Sequence, residues 1–202
     1  MKMKSNLIFL VAFFLLFSSL SHATDTTKVV KKNWITPDFL TFQYAGNIGA
    51  YIAGAGYNIY KDIYNLDVMY GFTPKYKADA TIHTFCLMNT INIRKFKLKT
   101  NIIIIPFAGL GISVNFADGE HTFVRLPKQY PEGYYAPNAI RLNLNFGLKF
   151  QKTLNPEKRI KAFEFYFLTT TNDLYLKYYV KYRNVYFKDI FTLALGVNIF
   201  LF

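Results

Sequence analysis

Cysteine, histidine and serine are scarce in this 202-residue chain. Cys86 is its only cysteine, which excludes an intrachain disulfide framework. His22, His83 and His121 are its only histidines. His83 and Cys86 lie three residues apart, a spacing that on a strand turns them to opposite faces, so no metal centre is expected. Beyond residue 23 one serine remains, Ser113, and no histidine adjoins it in sequence. A hydrolytic nucleophile with its base therefore has little to be built from. Long hydrophobic runs are missing as well. After residue 23 no stretch approaches the roughly 18 uninterrupted apolar residues that a spanning helix needs. Acidic residues are few, 12 against 24 lysines and arginines.

What is abundant is apolar and aromatic: 52% of the residues are hydrophobic, with 21 Phe and 16 Tyr. The chain opens MKMKSNLIFLVAFFLLFSSLSHA. Lys2 and Lys4 give a basic start, residues 7–17 an eleven-residue apolar core, and Ser21 and Ala23 small residues at the −3 and −1 positions of a cleavage site. This is the pattern of a secretory signal peptide, too short to span a bilayer. Residues 1–23 are expected to be removed, which leaves 179 residues, one domain's worth. No cysteine lies near that site for lipid attachment. Without Lys2 and Lys4, 22 basic residues face 12 acidic ones, a net +10. Nucleic acid would be the natural partner of such a charge inside a cell. For an exported chain the expected counter-charges are lipid headgroups and lipopolysaccharide phosphates, and nucleic acid is not a partner. Residues 24–36 are polar and basic, a periplasmic tail, with Trp34 placed as an interfacial anchor.

The dominant signal is a period of two. In residues 139–151, AIRLNLNFGLKFQ, the apolar set is Ile140, Leu142, Leu144, Phe146, Leu148 and Phe150, and Arg141, Asn143, Asn145, Gly147, Lys149 and Gln151 lie between. Such alternation specifies a strand with two unlike faces. The run is longer than an ordinary globular strand and suits one that meets lipid on one side and a polar lumen on the other. Similar alternation marks residues 39–46, 48–60, 64–72, 80–93, 101–115, 159–169 and 190–202. In 48–60, Gly49, Gly54 and Gly56 leave room for large neighbours in a narrow barrel. In 80–93, Asn89 interrupts the apolar face, and in 101–115 Pro106, which cannot donate to a ladder, predicts a bulge or kink. Residues 94–99 read as a basic turn and 73–79 as a polar loop.

These segments predict an all-β, closed antiparallel transmembrane barrel over residues 37–202, of eight strands. Residues 170–189 alternate well enough to be a ninth strand, which the even strand number of such barrels forbids. Either they form an excursion, helical after an N-cap in Thr171-Asn172-Asp173, or the barrel has ten strands. The longest non-periodic segment, 116–138, is the expected ligand or partner loop, with His121, Arg125, Lys128, Tyr130, Tyr134 and Tyr135 as its candidate contacts.

The chain ends NIFLF. A terminal Phe closing an alternating apolar strand resembles the assembly signal of outer-membrane β-barrel proteins, and the whole pattern resembles the small eight-stranded barrels of the OmpA/OmpX type. Phe202 is one residue out of phase with the better apolar face, which ends at Leu201. The resemblance implies the outer membrane of a Gram-negative cell envelope, recognition of Phe202 by the barrel-assembly machinery, outer-membrane lipids and lipopolysaccharide as surroundings, and a monomer. Eight strands leave a lumen filled by side chains rather than a channel. The inward set is expected to form a polar plug of Gln43, Asp67, Arg141, Asn143, Asn145, Lys149, Glu164 and Tyr166, whose charges must pair.

Some small barrels modify lipid A, and the lipid A deacylases use a His-x-Ser pair. Here His83 is followed by Thr84-Phe85 and His121 by Thr122-Phe123, so that motif is absent. The expected function is non-enzymatic, structural or binding through the loops, with no catalytic residues, cofactor or metal. The alternatives are a lipid-modifying outer-membrane enzyme and a narrow channel.

Overall fold

The computed structural model describes residues 35–60, 63–78, 80–117, 139–154, 159–182 and 184–201. The expected leader and most of the tail, including Trp34, lie outside these residues. Nine strands are described: β1 Phe39–Tyr44, β2 Tyr51–Tyr60, β3 Tyr64–Thr73, β4 Ile82–Asn92, β5 Phe96–Lys99, β6 Ile102–Ala117, β7 Ile140–Thr153, β8 Ala162–Asn172 and β9 Thr192–Phe200. Two helices, α1 Lys75–Ala78 and α2 Asp173–Lys181, and a 3-10 turn, Phe187–Ile190, lie in the connections.

All pairings are antiparallel, and the sheet closes on itself. Phe39 of β1 stands opposite Gly56 of β2 on one side and Phe200 of β9 on the other. Eight strands make the wall, and β4 pairs directly with β6 through eleven residue pairs, Ile82↔Ala117 to Asn92↔Phe107. The up-and-down order puts the C-terminal ends of β1, β3, β6 and β8, with α1 and α2, at one end of the barrel, the long-connection end. Both described chain ends and the connections after β2, β4 and β7 lie at the other.

Phases agree with the alternation along every wall strand. On β7, Arg141, Asn143, Asn145 and Lys149 are buried, while Ile140, Leu142, Phe146 and Leu148 are exposed. On β3, Asn65, Asp67 and Met69 face in, and Val68 and Tyr70 face out. The outside is thus apolar, while the inside is mixed: polar and charged residues share it with two apolar clusters, Ile48, Ile52, Met69, Cys86 and Met88 in one and Phe107, Tyr166, Leu168 and Ala194 in the other.

β5 is the strand that the sequence reading did not foresee; residues 94–99 are not a simple turn. β4 stops at Asn92↔Phe107 and β5 resumes at Phe96↔Ile104, so three residues, 93–95, stand opposite two, Ile105 and Pro106. One extra residue on one strand is a bulge. The carbonyl of Pro106 accepts from Ile93 N–H at 2.9 Å, so the proline's missing donor faces the same break. The β6–β7 ladder runs through Pro106↔Leu148 without a shift in register. The expected irregularity is therefore present, but the partner strand absorbs it. The extra residue also resets the phase: Phe96 comes opposite Ile104, which stands opposite Phe150, and all three share the outer face.

Of residues 170–189, Thr170–Asn172 continue β8 and stay paired with β7, so the expected boundary falls three residues too early; the excursion begins at Asp173 with α2. Asn172 caps α2 by accepting from Tyr175 N–H at 2.9 Å, as expected of Thr171-Asn172-Asp173. The polar loop after β3 contains the single turn α1. Asn89, the polar residue on the outer face of β4, accepts a hydrogen bond from the Tyr64 hydroxyl of the adjacent strand.

Candidate functional site: the lumen and its two mouths

A barrel this narrow can hold its large interior side chains only where others are small. Phe39 lies over Gly56, and the Tyr166 ring lies over Gly196; a Cβ at either glycine would overlap the ring. Gly147 makes room in the same way for Phe107. These vacated positions set where the polar groups of the middle lumen stand.

The centre of the plug is an ion pair. Lys149 Nζ lies 3.8 Å from Glu164 Oε1, and the two residues are only 4% and 2% exposed. Glu164 also accepts from Asn198 Nδ2 at 2.7 Å. Lys149 donates to Asn92 Oδ1 at 3.1 Å and sits 4.8 Å from the Phe107 ring centroid. Lys149 and Glu164 thus each have an opposite charge and an amide, which is what tolerates ions away from water. Above them the Tyr166 hydroxyl donates to Gln43 Oε1 at 3.0 Å and shares a hydrogen bond with Thr41 at 3.1 Å, and Gln43 Nε2 donates to Ala45 O at 3.0 Å. Asp67 is buried beside this group, lining the same small cavity as Lys149, Tyr166 and Asn198.

Nearer the long-connection end, Asn143 Nδ2 donates to Ser113 Oγ at 2.9 Å. Arg141 donates to Ile140 O at 3.2 Å and approaches Asp173 of α2 at 3.9 Å. Neither polar side-chain atom of Asn145, which is 1% exposed, has a hydrogen-bond partner among the described residues. The eight residues of the expected plug are all buried and all inside, but they do not form one network. Gln43 and Tyr166 are joined through hydroxyl and amide groups, Lys149 and Glu164 through charge, and Asn143 and Arg141 belong to the upper rim. Sequence reasoning did not single out Asn92, Asn198, Thr41 or Ser113 as plug members, although the alternation placed them on inward faces. Asn47, which accepts from Thr192 Oγ1 at 2.8 Å, sits in a turn where no period could reveal it.

Among the described residues, three cavities lie along the lumen. A cup of about 480 Å³ opens at the long-connection end, lined by Asn47, Thr84, Asn115, Arg141, Asn172 and Tyr175 among others. A cavity of about 20 Å³ lies in the middle, beside Asp67, Lys149 and Tyr166. A third, of about 200 Å³, opens at the other end around Asn65, Asn92, Lys161 and Glu164. The middle one is sized for roughly a single water, so the two mouths are separated by packed side chains.

The residues weighed for catalysis are kept apart by the wall. Ser113 is buried in the lumen, whereas His83 points outward, its Nδ1 2.6 Å from the Tyr70 hydroxyl and its ring 5.4 Å from Phe72. Cys86 is buried on the inner face, opposite to His83. Among the described residues no three His, Cys, Asp or Glu side chains come together as a metal-binding group. The six expected loop contacts, His121, Arg125, Lys128, Tyr130, Tyr134 and Tyr135, lie outside the described residues. Compared with known proteins, the chain matches no family model, no curated protein and no solved structure.

Proposed function

We propose that this chain is an integral outer-membrane β-barrel of the small, OmpA/OmpX-like kind, non-enzymatic, with a structural role or a binding role carried by its long connections. The observation that carries this reading is the inversion of polarity across the wall. Among the described residues, the outward positions between the tyrosines of the two rims carry no Asp, Glu, Lys or Arg, while Lys149, Glu164, Asp67 and Arg141 are all inside. An exposed apolar belt that encircles the barrel fits a lipid surrounding. Its height fits: the ten steps from Ile140 to Phe150 span about 33 Å at roughly 3.3 Å per residue. A tilt of about 40° reduces that to about 25 Å, the apolar band of a bilayer-spanning barrel. Aromatic side chains border the belt at both ends, with Tyr44, Tyr51, Tyr70 and Phe116 on one rim and Tyr57, Tyr60 and Tyr64 on the other.

Expression of the full chain in a Gram-negative host, with membranes separated by density, tests the location. The protein should travel with the outer membrane and should have lost residues 1–23. Recovery in the soluble fraction, or in the inner membrane with the leader attached, would overturn the proposal. Lipid A extracted from the same cells should keep its mass; a shift would establish the lipid-modifying alternative. The packed middle of the lumen argues against the channel reading.

A further inference from the structure

We infer that Lys77, held by Tyr44, Tyr51 and Tyr76, is a docking site for the phosphate of a membrane glycolipid headgroup such as lipid A. The site is assembled from three elements: the last residue of β1, the first of β2, and α1 beyond β3. Lys77 Nζ donates to the Tyr44 hydroxyl at 3.0 Å and lies 4.7 Å from the Tyr44 ring centroid and 5.1 Å from that of Tyr51. The Tyr51 and Tyr76 hydroxyls are hydrogen-bonded at 3.2 Å, and the Tyr44 and Tyr51 rings stand 5.7 Å apart. A surface lysine ordinarily wanders; this one is fixed by two ring faces and a phenol.

Everything in the cluster is presented to the surroundings. Tyr44, Tyr51 and Tyr76 are all exposed. The inference rests on the bilayer reading, because that reading puts Tyr44 and Tyr51 at the rim of the apolar belt, at headgroup depth. The ammonium has three N–H donors, of which Tyr44 takes one, so two stay available. Only one proton lies between the Tyr51 and Tyr76 oxygens, which leaves the other phenol able to donate outward. Two N–H groups and an O–H in one cluster of aromatic faces supply donors for the oxygens of a phosphate monoester, with ring faces for the sugar behind it. The hydrogen bond to Tyr44 also holds the Lys77 ammonium above its ordinary pKa, so the charge persists through neutral and mildly alkaline pH. Among the described residues, no carboxylate is paired with Lys77.

The test uses the full-length barrel in nanodiscs of zwitterionic lipid doped with lipid A, or with lipid A stripped of its phosphates. Lipid retention is read by native mass spectrometry after release in detergent. Wild type should retain phosphorylated lipid A and lose the dephosphorylated form. Lys77→Gln should cut retention about fivefold, the worth of one lysine at a charged membrane surface. Tyr44→Phe, which keeps the ring but frees the ammonium from its hydrogen bond, should fall between the two. Lys99→Gln, at the opposite end, should match wild type, and inorganic phosphate should not displace the lipid. Equal retention in Lys77→Gln and wild type, equal loss in Lys99→Gln, or displacement by free phosphate would each overturn the site. Failure of every variant, wild type included, to enter nanodiscs would instead overturn the bilayer reading on which the site depends.

Discussion

Replacing Lys149 by methionine tests the polar interior where it is most constrained. The lysine stem and its contact with Phe107 are roughly conserved in volume by methionine, so packing changes little. What is lost is the positive charge 3.8 Å from Glu164 and the donor to Asn92. Two unit charges at that distance attract by about 4 kcal/mol at an effective dielectric of about 20. Breaking a buried pair by removing one member ordinarily costs about 3–5 kcal/mol, because the remaining ion is stranded. Glu164 would keep only Asn198 as a partner. Lys149→Met is therefore expected to destabilise the barrel by about 3–5 kcal/mol. The double variant Lys149→Met, Glu164→Gln removes both charges, leaves an amide that can still meet Asn198, and should recover most of that loss. Urea unfolding in lipid vesicles, followed by tryptophan-free tyrosine fluorescence of residues 24–202 carrying Trp34→Phe, gives both numbers. A single variant within about 1 kcal/mol of its parent, or a double variant as weak as the single, would refute the idea that the pair is desolvated and mutually dependent.

Three further substitutions and one physical measurement follow from the same interior. Gly196→Val should push the Tyr166 ring off its seat, break its bonds to Gln43 and Thr41, and cost about 1–3 kcal/mol in the same unfolding assay. Asn145→Leu replaces a buried amide that has no hydrogen-bond partner among the described residues by an apolar side chain of similar volume, and should leave stability unchanged or raise it. Asn172→Ala removes the cap of α2 at a cost of about 1 kcal/mol to that helix. Protease cleavage within residues 173–181 should quicken about fivefold, while the folded barrel keeps its electrophoretic mobility. In planar bilayers the protein should show no steady conductance, because the middle lumen offers about 20 Å³.

The wall was legible in the sequence because a period of two is a local property. Each of the eight wall strands shows its inward and outward residues within its own span, and even the break at Asn89 is repaired by Tyr64 without altering the phase. The helix after Asn172 was legible only as one of two readings: the cap is written within four residues, but the alternation of Leu174, Leu176 and Tyr178 fits a strand as well. β5 was not. Phe96-Lys97-Leu98-Lys99 alternates for too few residues to be told from a basic turn, and its place is set by the bulge opposite Pro106, a relation between two strands. The plug was legible as a set of inward residues but not as a set of partners. That Lys149 meets Glu164 and Asn92, and that Tyr166 meets Gln43, depends on the shear of the barrel and on the space left at Gly147 and Gly196. The Lys77 cluster was invisible, because residues far apart in sequence meet there only after β1 and β2 pair.

Single cysteines placed at each position from 140 to 150, in a Cys86→Ala background, and spin-labelled in reconstituted bilayers would examine the wall directly. Collision with dissolved oxygen, which concentrates in lipid, should be high at 140, 142, 144, 146, 148 and 150 and low at 141, 143, 145, 147 and 149. Uniform access to a water-soluble relaxant along the segment, or an oxygen profile without this alternation, would contradict a β7 that faces lipid on one side and a packed polar lumen on the other.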